Sequence, residues 1–346
     1  MYDYVKKIRY VAISLGSGSI KPNAPAEILK KQYGDCKDKS ILLISLLKAV
    51  DIDSKPVLVL TSDEGHIDPN FPSWNFNHMI VQASGTNKEK YWLDPTAKYT
   101  SFGTLPSVCE DINVLVLNPD YTSQIETTTG SKAEDNIREF SLKLDLKDGG
   151  SADFNAEIKF HGTSNSNIRY SIEDKTDKEL KEYCKSLIAD EFTNTEITNC
   201  EISDLDSLSS VYCLKFKGSA GNIVQNQGDL VLVASDPFKF FENTSWLLKD
   251  KRDYPIKFDY PFSLKKIITI NLPSGYSVRN LPGKMIEVTG DLDYSKDVSK
   301  KDNSIVLNEK FRMGNSIIPA SKYDETKTFF EAIKNRYGQK IILMKN

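Results

Sequence analysis

The sequence predicts an α+β protein: a mixed core at its N-terminal end, followed by an antiparallel β-rich domain. Three observations carry that prediction. Residues 31–50, KQYGDCKDKSILLISLLKAV, leave almost no polar face after Asp38, and a helix apolar nearly all round is buried in a core. Residues 55–60 and 76–94 carry the β-branched, apolar segments of strands. Beyond residue 139, strand-like segments recur between turn-rich stretches, with two further helical segments.

Composition narrows the class. The chain has 346 residues, 39% hydrophobic and 27% charged, which fits a globular protein of two or three domains. Its formal charge is −3, with no basic stripe, so nucleic acid is not an expected partner. No apolar run approaches the ~18 residues of a membrane span. The opening MYDYVKKIRY lacks the apolar stretch of a signal peptide, so the chain is expected to be cytoplasmic, or else a mature or truncated piece. The five cysteines are odd in number, widely spaced and free of CxxC. That argues against a zinc site and against a dense disulfide framework.

Taken in order, residues 2–9 predict a short amphipathic helix with Tyr2, Val5 and Ile8 on one side. A start inside a helix suggests a missing upstream segment. Residues 10–14 are expected to be extended and 16–23 a loop. Pro25 suits the first turn of a second helix reaching Tyr33. Asp35 is a good N-cap for the apolar helix, with Asp38 where the partner of a capping box sits. Cys36 is then the first residue inside a buried helix. A helix N-terminus favours the thiolate, the nucleophilic form. Asp35 and Asp38 oppose it, while Lys37 and Lys39 support it. The competing reading is a small buried hydrophobe, the usual role of a free cysteine. Residues 55–60 predict an inner strand. Residues 61–75, with Gly65, Pro69 and Pro72, predict a mobile loop in which His66 is solvated.

The next hairpin supplies a partner for Cys36. Strands at 76–83 and 89–94 flank the turn SGTNK. A pairing symmetric about Thr86 sets Ile80 opposite Trp92, Gln82 opposite Lys90 and His78 opposite Asp94. Opposed residues have Cβ atoms about 4.5–5.5 Å apart on one face, so the imidazole can bond the carboxylate. A one-residue slip would break this. The alternative is a His–Asp pair with a structural role only. Together, Cys36, His78 and Asp94 form a nucleophile, base and orienter.

YGDCKDKS before a Leu-rich helix, then FNHMIVQA and YWLDPTA, resemble the transglutaminase-like core of the papain-type cysteine hydrolase superfamily. The chain is similar to bacterial multidomain proteins, frequent in Bacteroidetes, whose core sits between two β-rich domains. RDYPIKFDYPF and INLPSGYSVRNLP resemble the β-rich domain that follows the core. The resemblance implies Cys36 as nucleophile, His78 as base, Asp94 as orienter, no cofactor and no metal, and a periplasmic or secreted protein. Gln32 or Tyr33, or the Cys36 N–H with another group, is the expected oxyanion donor.

Residues 117–134 are expected to be a linker, dividing a core at 1–125 from a β-rich domain with two helices at 126–346. In the latter, 139–146 and 152–160 predict a hairpin over Asp148-Gly-Gly, with His161 structural. Residues 176–192 predict a helix capped by Thr176 and Glu179, with Leu180, Tyr183, Cys184, Leu187, Ile188 and Phe192 as its apolar stripe. Cys200 and Cys213 lie symmetrically about a polar turn and could face each other as a disulfide. Strands at 228–234 and 264–272 follow. A helix at 321–337, capped by Ser321, stopped by Gly338 and buried through Tyr323, Phe330, Ile333 and Tyr337, precedes a last strand at 340–344.

The leading expectation is a cysteine-dependent hydrolase or acyl transferase acting on peptide or protein amides through a thioester, with hydrolysis favoured. The alternative is a silent binding or scaffold protein on the same fold. A metal site of Cys36, His78 and Asp94 is a weaker third reading, because the close ligand spacing of catalytic zinc is absent.

Overall fold

In a computed structural model, which describes residues 1–12, 20–188, 193–207, 210–234, 245–337 and 339–346, the chain divides into Met1–Ser131 and Lys132–Asn346. Several expected features lie outside the described residues: the loop at 16–19, the extended stretch at 13–14, the helix end at Phe192 and the Gly338 stop.

The first unit runs α1 (Tyr2–Lys7), β1 (Arg9–Tyr10), α2 (Pro25–Lys31), β2 (Tyr33–Gly34), α3 (Cys36–Lys48), β3 (Ser54–Val59), β4 (His78–Ser84), β5 (Lys90–Leu93), β6 (Asn113–Leu117) and β7 (Ser123–Thr127). β5-β4-β3-β6-β7 form one antiparallel sheet. α3 follows the sequence closely, with Asp35 as N-cap and the Asp35/Asp38 capping box complete. Leu42, Leu43 and Leu47 pack with Tyr2, Val5 and Ile28 against Val81, Ala83 and Leu93 of the sheet. The other sheet face buries Val57, Val59, Ile80 and Trp92 with Leu105, Cys109 and Val114. β4 is therefore covered on both sides, which accounts for its nearly continuous apolar run. Each such side chain contributes about 1.5–3 kcal/mol on burial.

Two expectations change here. Residues 123–127 are not linker; they pair with β6, from Leu117↔Ser123 to Asn113↔Thr127, as an edge strand. Its Ser-Gln-Ile-Glu-Thr alternates too weakly to be recognised alone, and its pairing with the apolar β6 decides it. The hairpin register also differs. Gln82 faces Trp92 and Ser84 faces Lys90, so the turn is centred on Asn87 rather than Thr86. Gly85 N–H donates to Glu89 O, and Lys88 takes the left-handed conformation that closes a three-residue turn.

The second unit contains β8 (Ile137–Leu146), β9 (Ala152–His161), α4 (Thr163–Ile172), α5 (Asp177–Ser186), β10 (Thr193–Ile202), β11 (Val211–Gly221), β12 (Val224–Gln227) and β13 (Leu230–Ala234). It continues with β14 (Ile256–Lys257), β15 (Phe262–Asn271), β16 (Tyr276–Asn280), β17 (Met285–Thr289), β18 (Leu292–Lys301), β19 (Ser304–Met313), β20 (Ile317–Ile318), α6 (Tyr323–Tyr337) and β21 (Lys340–Lys345). Eight strands form one sheet in the order β10-β11-β9-β8-β15-β19-β18-β17, antiparallel but for the central β8/β15 pair. A smaller sheet, β12-β13-β21-β16, shares the core of α4, α5 and the larger sheet. A second core gathers Leu264, Tyr294 and Phe311 under Phe329, Phe330 and Ile333 of α6.

Three helices, not two, are present among the described residues. The added helix is α4, whose TSNSNIRYSI offers only Ile168 and Ile172 as an apolar face, too little to signal a helix from the sequence. It is held by burial of Ile168 and Ile172 and by Arg169, which donates to Leu205 O and Ser207 O. Gly162 precedes it at φ 57°, where a Cβ would lie 2.3 Å from Asn136 Oδ1, so only glycine fits. Cys200 and Cys213 do not face each other. Cys200 pairs with Phe216, and Ser203 N–H donates to Cys213 O, three residues from the expected register. That odd slip sends the two thiols to opposite sheet faces. Cys213 instead meets Glu157, 3.4 Å away. His161 lies 3.8 Å from Glu139, an acidic neighbour that sequence spacing did not suggest. Among the described residues no helix is long and apolar enough to cross a membrane.

Candidate active site

Cys36 opens α3 as the one half-exposed residue in a buried first turn of Asp35, Lys37, Asp38, Lys39 and Ser40. The two carboxylates beside it are already engaged. Asp35 accepts the Asp38 N–H on Oδ1 and the Lys37 ammonium on Oδ2. Asp38 accepts from the Asp35 N–H, from the Asn23 N–H at 2.7 Å and from the Asn23 amide. The chain comes close here: a Cβ on Gly34 would sit 2.7 Å from Asp38 Cβ.

His78 begins β4. Asn77 before it is fixed by its N–H to Val59 O, and its side chain bonds the Thr61 backbone and hydroxyl. From α3, Ser40 donates to Met79 O at 3.0 Å. Asp94 follows β5 directly. Its Oδ1 accepts from Thr96 N–H and Oγ1 at 2.9 and 2.6 Å, and its backbone carbonyl accepts from Tyr2 Oη at 2.9 Å. Oδ2 meets His78 Nε2 at 2.9 Å. The two-residue shift of register leaves His78 and Asp94 on one face but diagonal, and a diagonal pair is within reach of an imidazole. With Nε2 taken by Asp94, Nδ1 is the ring nitrogen left for another partner, and Cys36 is near enough to help raise the His78 pKa.

Charge follows geometry. Burial alone would lower the His78 pKa, but the Asp94 charge and hydrogen bond, with Cys36, push it up to about 10. Burial would raise Asp94; His78 and the two Thr96 donors overcome that and hold it below its usual value. The pair is thus imidazolium and carboxylate across the neutral range. Lys39, wholly buried, donates to Lys6 O and Ile8 O and ties α1 to α3. Burial pulls its pKa down to about 8, against the attraction of Asp94.

Gln32 and Tyr33, the expected oxyanion side chains, are placed less suggestively. Gln32 takes a left-handed conformation as the α2 C-cap, with its amide on Leu29 O and Tyr4 Oη. Tyr33 is exposed on β2. Among the described residues neither the Cys36 nor the Lys37 N–H has an acceptor, which leaves the α3 terminus as a donor pair.

Two neighbours were not legible in the sequence. Burial, then Cys36, Asp35 and Asp94, raise the Tyr10 pKa. Cys109 has its thiol within 4.8 Å of both the His78 and Asp94 ligand atoms. Only the fold brings them in, and no spacing signals it. The Asp94/Thr96 bond, by contrast, is a local turn that could have been read from the sequence. His78, Asp94 and Cys109 have the donor atoms of a metal site, rather than the Cys36 set. Yet His78 and Asp94 spend theirs on each other, and burial with Asp94 nearby keeps Cys109 a neutral thiol. The arrangement suits proton transfer next to a nucleophile.

Residues 1–95 match the transglutaminase-like superfamily. The first unit is thus similar to a transglutaminase-like core. Residues 231–343, in the second unit, match a domain family of unknown function, DUF3858. A crystal structure described as a "putative protease" from Parabacteroides distasonis superposes with a TM-score of 0.53 over 99% of this chain at 11% identity. The chain spans 50% of that protein's length. No curated protein matches the chain. The likeness establishes a papain-like, transglutaminase-like core joined to a β-rich domain.

Proposed function

We propose that the transglutaminase-like core is a cysteine-dependent amide hydrolase, acting on peptide or protein substrates through Cys36, His78 and Asp94. The observation that carries this reading is the meeting of a half-exposed thiol at a buried helix N-terminus with an imidazole held by a buried carboxylate. The Cys36 thiolate attacks the scissile carbonyl, and the oxyanion is met by N–H groups at the start of α3. His78 gives its proton to the leaving amine, and a thioester remains on Cys36. Water, deprotonated by His78, then attacks the thioester and releases the acid and the thiol. Asp94 fixes the ring and its charged form, and general acid–base assistance of this kind contributes about 10²–10⁴-fold. The loop leading into His78 carries Phe71 and Trp74, 70% and 93% exposed, which suit apolar side chains of an extended peptide. Water as acceptor requires no second acceptor site, so hydrolysis is preferred over transfer to an amine.

The test is reactivity, because it separates an enzyme from an inert binding module of the same fold. At pH 6–7, iodoacetamide should label Cys36 ahead of Cys109, Cys184, Cys200 and Cys213, and Cys36→Ala should abolish cleavage of a denatured-protein substrate. Equal labelling of Cys36 and the buried cysteines in the native chain would sink the proposal.

A further inference from the structure

The second unit brings two other cysteines together. Cys184 lies on the buried face of α5 with no exposed surface, and Cys200 on β10 packs against the same core from the neighbouring strand. α5 lies along β10, and the two thiols share one core and are near enough to shift each other's pKa. Both are free thiols in this structure. α5 is otherwise polar, DKELKEYCKS, and its buried residues are Leu180 and Cys184. A helix attached through so few side chains gains most from a covalent tie.

We propose that Cys184 and Cys200 form a redox site of their own, closing a disulfide that fastens α5 to β10 when the protein meets a small-molecule disulfide. The odd register of the β10/β11 hairpin makes this pairing available, since it turns Cys200 toward the core and away from Cys213. A disulfide brings the sulfurs to about 2.05 Å, and the packing of α5 along β10 is what would let the two side chains close on each other.

The asymmetry of the pair sets the order of events. Cys184 donates to Cys200 and, with Lys181 nearby, holds the Cys200 pKa below that of an ordinary thiol, although burial works against it. The same bond, with burial, pushes Cys184 up. Cys200, the more exposed of the two, is therefore the first nucleophile. Its thiolate attacks one sulfur of a disulfide RSSR and expels RS⁻, leaving a mixed disulfide on Cys200. Cys184 passes its proton to that thiolate and attacks the Cys200 sulfur, expelling the second RS⁻, which takes a proton from water. The dithiol is oxidised by two electrons and RSSR is reduced to two RSH.

The experiment equilibrates the native full chain with oxidised and reduced glutathione at a series of ratios. Remaining thiols are then blocked and the peptides mapped without reduction. The expected result is a single intramolecular Cys184–Cys200 link that rises with the oxidised fraction and is reversed by reduced glutathione. The linked form should melt roughly 5–10 °C above the reduced one. Cys200→Ser and Cys184→Ala should each remove the shift, and Cys213→Ser should keep it. Because the mapping is done on the unaltered chain, it stands even if a variant folds poorly. Cys184 and Cys200 both remaining blockable at every ratio would overturn the proposal. So would a stable glutathione adduct on Cys200 beside a free Cys184, or a link from Cys200 to Cys213.

Discussion

Among the described residues, the β-rich unit has a buried ion pair across two strands and the first unit has a partly buried one at the ends of two strands, and the two differ in what surrounds them. In the β-rich unit, Lys266 and Glu309 are directly opposed in register, 2.7 Å apart, with both side chains 0% exposed. Tyr294 donates to the other Glu309 oxygen at 2.5 Å, and Lys296 opposes Glu309 from the far strand. This polar row crosses the sheet between its two apolar cores, with Leu264 and Phe311 on one side and Ile268 and Leu307 on the other. In the transglutaminase-like core, His78 and Asp94 are diagonal, and the His78 side chain stays 15% exposed. The first pair has no exposed surface and ties two neighbouring strands of the sheet. The second leaves one ring nitrogen free of Asp94, which is what the proposed proton transfer beside Cys36 requires.

The largest expected break in this comparison is His78→Ala. It should slow Cys36 alkylation at pH 6–7 by about 10²–10⁴-fold, measured by timed iodoacetamide quench and peptide mapping. An unchanged rate would mean the thiol does not depend on the ring. Next is Glu309→Gln, which removes the buried carboxylate charge that Lys266 bonds. It should cost about 3–5 kcal/mol in urea unfolding, with Cys36 reactivity in the folded protein left as it was. A loss under 1 kcal/mol would show that the row is less sealed than its burial implies.

Asp94→Asn sharpens the contrast through pH. His78 keeps its proton up to about 10 in the folded chain, against an ordinary value of 6.5, so its stabilising part is full below ~6.5 and is lost as pH rises through about 10. Asp94 is held low, so its part is present above ~3.9 and fades as pH falls through its own lower value. The ion pair therefore spans the window between. Asp94→Asn should bring the alkaline limit of the His78 imidazolium, followed by NMR of the ring, down toward neutrality; a titration still centred near 10 would deny Asp94 its role. The smallest effect is expected from Thr96→Val, which removes one of two Thr96 donors to Asp94. Alkylation should slow by only a few-fold, because the Thr96 N–H remains.

Local signals decided much of this protein. The Asp35/Asp38 box, the apolar run behind Cys36 and the alternation at 76–94 are each written within a few residues, and helices and strands of that kind follow from neighbours along the chain. The capped helix at Thr176 and the glycine hairpin after β8 were legible for the same reason. Register and long-range company, by contrast, come from packing between distant parts of the chain. The first hairpin closes around Asn87, two residues from the expected register, and an even slip keeps His78 and Asp94 on one face. The second hairpin slips by three, and an odd slip parts Cys200 from Cys213 and gives it to Cys184. The edge strand β7, the polar helix α4, and the arrival of Tyr10 and Cys109 beside the His–Asp pair belong to the same class. A period-2 pattern states which residues share a face, but the turn and the packing of the other layers choose which of them meet.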